Sequence, residues 1–270
     1  MKIFTTKLCW ILFFLVGFCF AQNIKTELSD IGKRIELKYS RILPSEDLDM
    51  DFYSGNYELC GQFKLDKKSA IIVNLPFSSY SISENDLIFE SKTFGNIFVG
   101  YKRNIYELGI KKLNLTMGAF LPTNGDRTNI FSLINDIYSI EKYFVKSLSL
   151  YTNLGYYVKY TNGFNFSLEL GPTFVFPTKG NGSDPEIFLH GGANLAYVGE
   201  NFFISTEFVT SGLLTEDNIY YADRFNSMWN IAVGYSKNTF TAKIFYGYYL
   251  SKSFREIFDG IVGFTFSKSL

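Results

Sequence analysis

The sequence predicts an all-β chain, a closed up-and-down antiparallel transmembrane β-barrel of about 12 strands, the architecture of Gram-negative outer-membrane proteins. Three observations predict it: an export signal at the N-terminus, a period-two hydrophobic alternation that recurs along the whole remaining chain, and connections that alternate between tight turns and long loops.

The export signal comes first. Lys2 and Lys7 precede an unbroken apolar stretch from Leu8 to Phe20, followed by Ala21 and Gln22. A basic start, a core of ~7–15 apolar residues and a small residue at the cleavage point describe a signal peptide, and the core falls short of the ~20 residues of a spanning helix. Cleavage is expected after Ala21. Cys19 is a poor lipid-attachment site because the bulky Phe18 precedes it. Residues 22–32 then form a short periplasmic segment and 33–268 the barrel.

Composition narrows the class. Lys plus Arg and Asp plus Glu are equal at 26 each, so no basic surplus exists to bind nucleic acid. Two of the three cysteines lie in the signal, which leaves Cys60 without an internal disulfide partner. Aromatic residues make up 19% of the chain, with 29 Phe and 19 Tyr, more than a soluble core of this size requires. Membrane barrels use such residues as girdles at the two bilayer interfaces.

Alternation defines the strands. Tyr57, Leu59, Phe63 and Leu65 are apolar against Glu58, Gln62 and Lys64, and Phe164, Phe166, Leu168 and Leu170 oppose Asn165, Ser167 and Glu169. Phe202, Ile204 and Phe208 stand against Ser205 and Glu207, and Phe240, Ile244, Tyr246 and Tyr248 against Thr241 and Lys243. In the last strand, Phe258, Gly260, Val262, Phe264 and Phe266 are assigned to one face and Ile261, Gly263, Thr265 and Ser267 to the other. The strands are expected at 33–42, 55–65, 69–81, 93–103, 112–121, 144–160, 164–176, 186–198, 202–213, 226–236, 239–250 and 258–268, an even set, as single-chain bacterial barrels require. One such strand would fit a secreted soluble sandwich equally well; the series does not.

The connections set the orientation. Asp66 to Lys68, Thr161 to Gly163, Gly199 to Asn201 and Lys237-Asn238 are tight, and the intervening loops are longer. Short turns belong to the periplasmic end. Asn104 to Lys111 is the one short-end connection of intermediate length. In the longest loop, Pro122 to Tyr143, the spacing of Ile130, Phe131, Leu133, Ile134, Ile137 and Tyr138 predicts a short helix packed into the barrel mouth.

Gly95 to Tyr101, Gly118-Ala-Phe-Leu-Pro-Thr123 and Gly171-Pro-Thr-Phe-Val-Phe-Pro-Thr178 carry a resemblance. They are similar to segments of uncharacterised outer-membrane barrels, a group distantly similar to the aromatic-degradation-pathway and long-chain fatty-acid transporter barrels. The resemblance covers most of the mature chain, and its motifs are architectural and imply the fold only; transport of small or moderately hydrophobic solutes is the activity expected of such a barrel. Residues 22–32 are too few for a fatty-acid transporter's N-terminal plug. The chain ends Ser267-Lys268-Ser269-Leu270 rather than on an aromatic residue, which shifts the expected signal for the outer-membrane assembly machinery inward to Phe264 and Phe266.

No nucleophile elbow, phosphate-binding glycine loop or zinc-protease motif is present, and one histidine cannot make a two-histidine metal site. No cofactor is expected. His190 is followed by Gly191-Gly192, with glycine where the His-x-Ser pattern of barrel phospholipases has its nucleophile, so it is expected to be a hydrogen-bonded lumen histidine. The sequons Asn114-Leu-Thr116 and Asn181-Gly-Ser183 carry little meaning in a bacterial outer membrane.

The inward faces hold the candidate site. Strand direction places Lys64, Lys102 and Lys159 near the periplasmic rim, Lys243 slightly higher, Glu169 and Glu207 halfway up, and Glu58 and His190 nearer the outside. Two layouts follow: an acidic middle above a basic lower ring that filters solutes, or a packed interior in which these groups pair. The first makes a passive channel, with membrane lipid around it. The second makes a filled scaffold that displays its loops.

Overall fold

The computed structural model describes residues 31–44, 49–51, 53–84, 87–125, 130–178, 184–215 and 224–270. The signal peptide, residues 22–30 and the Asn181 sequon lie outside the described residues. Fourteen strands form one antiparallel sheet. They are β1 (Arg34–Pro44), β2 (Asp49–Met50), β3 (Gly55–Lys64), β4 (Ser69–Glu84), β5 (Leu87–Phe94), β6 (Ile97–Leu108), β7 (Lys111–Leu121), β8 (Ser147–Lys159), β9 (Phe164–Pro177), β10 (Glu186–Val198), β11 (Phe202–Leu213), β12 (Phe225–Lys237), β13 (Phe240–Tyr249) and β14 (Phe258–Ser269).

Twelve of them close into a barrel. Sequence neighbours pair around the wall, β1 pairs with β14 from Arg34↔Ser269 to Ile42↔Ile261, and β4 pairs with β6 from Ser69↔Arg103 to Asn74↔Phe98. Closure leaves the wall no free edge. The two-residue β2 and the β5 strand lie outside this ring, at the long-loop end, each paired to the upper part of β4.

The wall is inverted relative to a soluble protein. Leu170 is 58% exposed and Ile244 63%, and Leu59, Phe63, Leu168, Ile204, Phe208, Ile231 and Val233 also face outward. Glu36, Asn56, Gln62, Asn114, Asn153, Ser167 and Asn194 are buried inside. A soluble sandwich would place these two sets the other way round, because exposed apolar surface on this scale is stable only against lipid.

The strand ranges match the alternation closely, with three corrections. The first concerns the connection expected at Asn104 to Lys111. β6 runs on to Leu108, past a bulge between Asn104 and Tyr106, and the turn is only Gly109-Ile110. Gly109 has φ +56°, the left-handed conformation that a two-residue hairpin requires. This connection therefore obeys the short-turn rule.

The second correction is β5, which forms where a loop was expected over residues 82–92. The expected strand at 93–103 is broken at Gly95-Asn96, so that β5 follows β4 and β6 joins the barrel. A Cβ on Gly95 would lie 2.5 Å from the Lys142 carbonyl oxygen, so only glycine lets the long loop approach the wall there.

The third is the phase of β14. Phe258 faces inward and is 3% exposed, although its alternation partners Phe264 and Phe266 face out. Gly260 has φ +149°, and the register against β1 slips between Leu43 and Pro44. One extra residue inverts the faces beyond it. Phe258 thereby joins an internal apolar cluster with Ile42, Tyr80, Val209, Met228, Tyr249 and Ile261 near the long-loop end.

Candidate functional site: the lumen and its inward-folded segment

The loop between β7 and β8 enters the barrel. Its helix α1 (Ile130–Asn135) is followed by a 3₁₀ stretch (Ile137–Tyr143) kinked at Ser139. Ile137 and Tyr138 are buried in the internal apolar cluster, with Phe131, Ile134 and Ile140 packed against it. A hydrophobic loop over a polar lumen would expose these side chains; folding inward removes them from water. The helix expected over Ile130 to Tyr138 thus forms in its first half and tightens in its second.

Polar side chains of the wall then satisfy the backbone of this segment. Asn56 Nδ2 donates to the Ser132 carbonyl at 2.9 Å, Tyr80 Oη to the Phe131 carbonyl at 3.2 Å and Tyr249 Oη to the Ile134 carbonyl at 3.0 Å. In return, Asn135 Nδ2 donates to the Ser40 carbonyl at 2.7 Å and to Tyr80 Oη at 2.9 Å. At the far end, Asn96 Nδ2 donates to the carbonyls of Glu141 at 2.9 Å and Phe144 at 2.7 Å. Asn124 Nδ2 donates to the Tyr143 carbonyl at 2.6 Å. Buried irregular backbone needs such partners, and asparagine can supply donor and acceptor together.

Charges complete the attachment. Lys142 Nζ lies 2.8 Å from Asp136 Oδ2 within the segment and 3.2 Å from Glu58 Oε2 on β3. Glu58 Oε2 is also 3.8 Å from Lys38 Nζ, which is 3.3 Å from Glu36 Oε1. The result is a chain of alternating sign, Glu36–Lys38–Glu58–Lys142–Asp136, that crosses from wall to segment. Each buried charge meets an opposite one, as burial demands.

The candidate residues separate into three groups. Glu58 belongs to the ion-pair chain. Glu169 accepts from Tyr157 Oη at 2.6 Å and Asn153 Nδ2 at 3.1 Å, and Glu207 from Asn194 Nδ2 at 3.2 Å and Asn230 Nδ2 at 3.5 Å. His190 is buried beneath the segment, with Nε2 2.5 Å from Thr173 Oγ1 and Nδ1 3.4 Å from Ser211 Oγ, and with the Tyr138 ring edge-on to it. That is the hydrogen-bonded lumen histidine its sequence context indicates.

The lysines correct the expected layering. Lys64 and Lys159 are exposed at the short-turn rim, where they were expected. Lys102 is opposite Ala70 on β4, the residue that pairs with Lys64, but it points inward: it is 1% exposed, faces Thr116 on β7 and lies 5.8 Å from the centre of the Tyr157 ring. On its β7 side, β6 runs on beyond it to Leu108. Lys243 is buried and feels the charges of Glu36 and Glu207 as well as those of Lys38 and Arg34. Among the described residues, Glu36 lies beside Lys38 and acts on Lys243, so the signs interleave there. Opposite charges attract most strongly where water is scarce, which favours mixing over segregation.

Sequence reasoning missed Asn56, Tyr80, Asn96, Asn124 and Asn135, which hold the segment. The available signal was the density of asparagine at inward positions, Asn56, Asn74, Asn104, Asn114, Asn153, Asn194 and Asn230 among them. Asparagine is depleted in ordinary strands and marks positions where a polar partner is required.

No protein-family model matches the sequence, and no curated protein matches it. Similar solved structures exist. An outer-membrane channel from Pseudomonas putida F1 superposes with a TM-score of 0.63 at 10% identity, covering 93% of this chain and 100% of that one. The NanC porin gives 0.53 at 8% identity over 87% and 98% of the two chains, and the KdgM porin 0.51 at 9% over 88% and 99%. At such identities the likeness is one of fold, and with the apolar exterior it identifies a twelve-stranded β-barrel of the Gram-negative outer membrane.

Proposed function

We propose that the protein is a passive channel for small, uncharged or moderately hydrophobic solutes, with the inward-folded segment as its constriction. The observation that carries this reading is the ion-pair chain through Glu58 and Lys142, which neutralises charge inside the lumen where the segment narrows it. A lining whose charges are internally paired offers little attraction to ions, whereas Ser, Thr, Asn and aromatic side chains solvate neutral solutes. The three structural neighbours are described as a channel and two porins, which supports the reading by analogy.

Swelling of liposomes that carry the purified, heat-modifiable protein tests it. Entry of neutral sugars and small aromatic alcohols, with a low ionic conductance in planar bilayers, is the expected result. Folded protein that admits neither solute nor ion would discard the channel.

A second reading has its own observation. The apolar cluster that joins Ile137 and Tyr138 to Tyr80 on β4 and to Val209 on β11 spans opposite sides of the wall. A barrel filled in this way would be a rigid scaffold for external loops, and the same swelling assay separates the two.

A further inference from the structure

The chain as a whole is neutral, yet one arc of its short-turn rim is strongly basic. Lys64, Lys67 and Lys68 flank the β3–β4 turn, Arg103 pairs in register with Ser69 just beyond that turn, Lys111 opens β7, and Lys159 ends β8 beside it. All six are exposed. The sheet order makes these strands contiguous, so the six cations form one patch. Elsewhere on this rim, Glu200 and Lys237 in the β10–β11 and β12–β13 turns cancel and the paired ends of β1 and β14 add Lys33 and Lys268, a weaker positive charge than the arc's.

The acids within the arc are already engaged. Asp66 accepts from the Lys68 amide at 2.6 Å and from Ser69 Oγ at 2.6 Å, closing its own turn. Glu107 is 3.1 Å from Lys112 Nζ and accepts from Asn104 Nδ2 at 2.8 Å. Both keep their charge, Asp66 acting on Arg103 and Glu107 on Lys68, so with Lys112 the arc sets seven cations against two carboxylates and stays strongly basic.

The neighbours of the cations fix the depth. Phe63, Leu65, Ile105, Tyr106, Leu108 and Tyr160 project from the same rim and are exposed. Aromatic and aliphatic side chains interleaved with lysine and arginine are the composition of a bilayer interface, where the rings sit at headgroup level and long cations reach outward to the phosphates.

We infer that this arc is a binding surface for anionic phospholipid headgroups of the inner leaflet, which orients the barrel laterally among its lipids. Lipid is favoured over a soluble partner because the apolar residues of the patch need acyl chains beside them. The attraction of each cation to an anionic surface amounts to about fivefold in affinity at contact and falls with salt.

Native mass spectrometry of the mature protein released from micelles holding equal phosphatidylethanolamine and phosphatidylglycerol is the test. The expected result is preferential retention of phosphatidylglycerol, reduced at least fivefold in a Lys67→Gln, Lys68→Gln, Lys111→Gln variant. The loop-end variant Arg224→Gln, Lys252→Gln, Arg255→Gln removes as much charge and should retain the preference. Heat-modifiability of each variant confirms folding. Equal retention of the two lipids by the wild type, or an unchanged preference in the first variant, overturns the proposal. So does loss of bound phosphatidylglycerol to excess inorganic phosphate, which would mean a free-phosphate site; absence of lipid preference combined with capture of an acidic periplasmic protein would reassign the arc.

Discussion

Lys142, carried into the barrel by the β7–β8 loop, lies 3.2 Å from Glu58 on the wall, 84 residues away in sequence. This contact joins the segment's own Lys142–Asp136 pair to the Glu36–Lys38–Glu58 series of the wall. Both partners are about nine-tenths buried, so water contributes little screening.

Lys142→Met should therefore loosen the segment, since it leaves Glu58 and Asp136 without their shared cation. Breaking a buried pair costs about 3–5 kcal/mol, part of which relaxation and Lys38 will recover. A double-mutant cycle with Glu58→Gln, read from the temperature of heat-modification, should give a coupling of roughly 1–3 kcal/mol. A coupling of zero would show that the contact does not hold the segment.

Burial pushes the Glu141 carboxyl, on the 3₁₀ stretch, up from 4.5 to about 8. Neither of its oxygens has a hydrogen-bond partner among the described residues, and His190 Nε2 is 3.8 Å from Oε1. The docked state thus holds a proton that the undocked state releases between these two values. Stabilisation of docking is complete below pH ~4.5 and is lost as pH rises towards about 8. Asp136 and Lys142, which face the same site, remain paired with each other. Conductance or swelling rate should rise over this window, and Glu141→Gln should flatten the profile; a wild-type profile that is already flat refutes the coupling.

Glu169 accepts from Tyr157 and Asn153, and Glu207 accepts from Asn194 and Asn230 and also acts on Lys243; both lie outside the Glu58–Lys142 chain. Replacing both with glutamine removes negative charge from the lumen while keeping the hydrogen-bonding shape. The reversal potential in a salt gradient should move towards anion preference. If it stays fixed while conductance persists, these carboxylates do not face the conducting path.

Gly260→Ala should destabilise β14. At φ +149° an L-residue is strained, and a Cβ would lie 2.3 Å from the Gly247 carbonyl oxygen. A cost of about 1–3 kcal/mol is expected, seen as a lower heat-modification temperature. If the bulge relaxes instead, Phe258 turns outward and the internal cluster loses a ring, which a tyrosine or tryptophan quenching assay in lipid would register.

The amino-acid sequence by itself determined the closed sheet, because its evidence is local: alternate residues along Phe202–Leu213 or Phe240–Tyr249 must point to opposite sides whatever the rest of the chain does. It also determined which end carries the short turns, since glycine and asparagine mark them directly. Alternation misled at Phe258, where a single extra residue at a glycine inverted the faces, and it gave neither β5 nor the extension of β6 to Leu108. Only the tertiary structure decided what the lumen contains. The partners of Glu58, Asn56 and Asn96 come from a loop 40–90 residues distant, and nothing periodic encodes such a meeting. It arises because an apolar loop had one place to hide from water and the inward asparagines and charges could satisfy its backbone there.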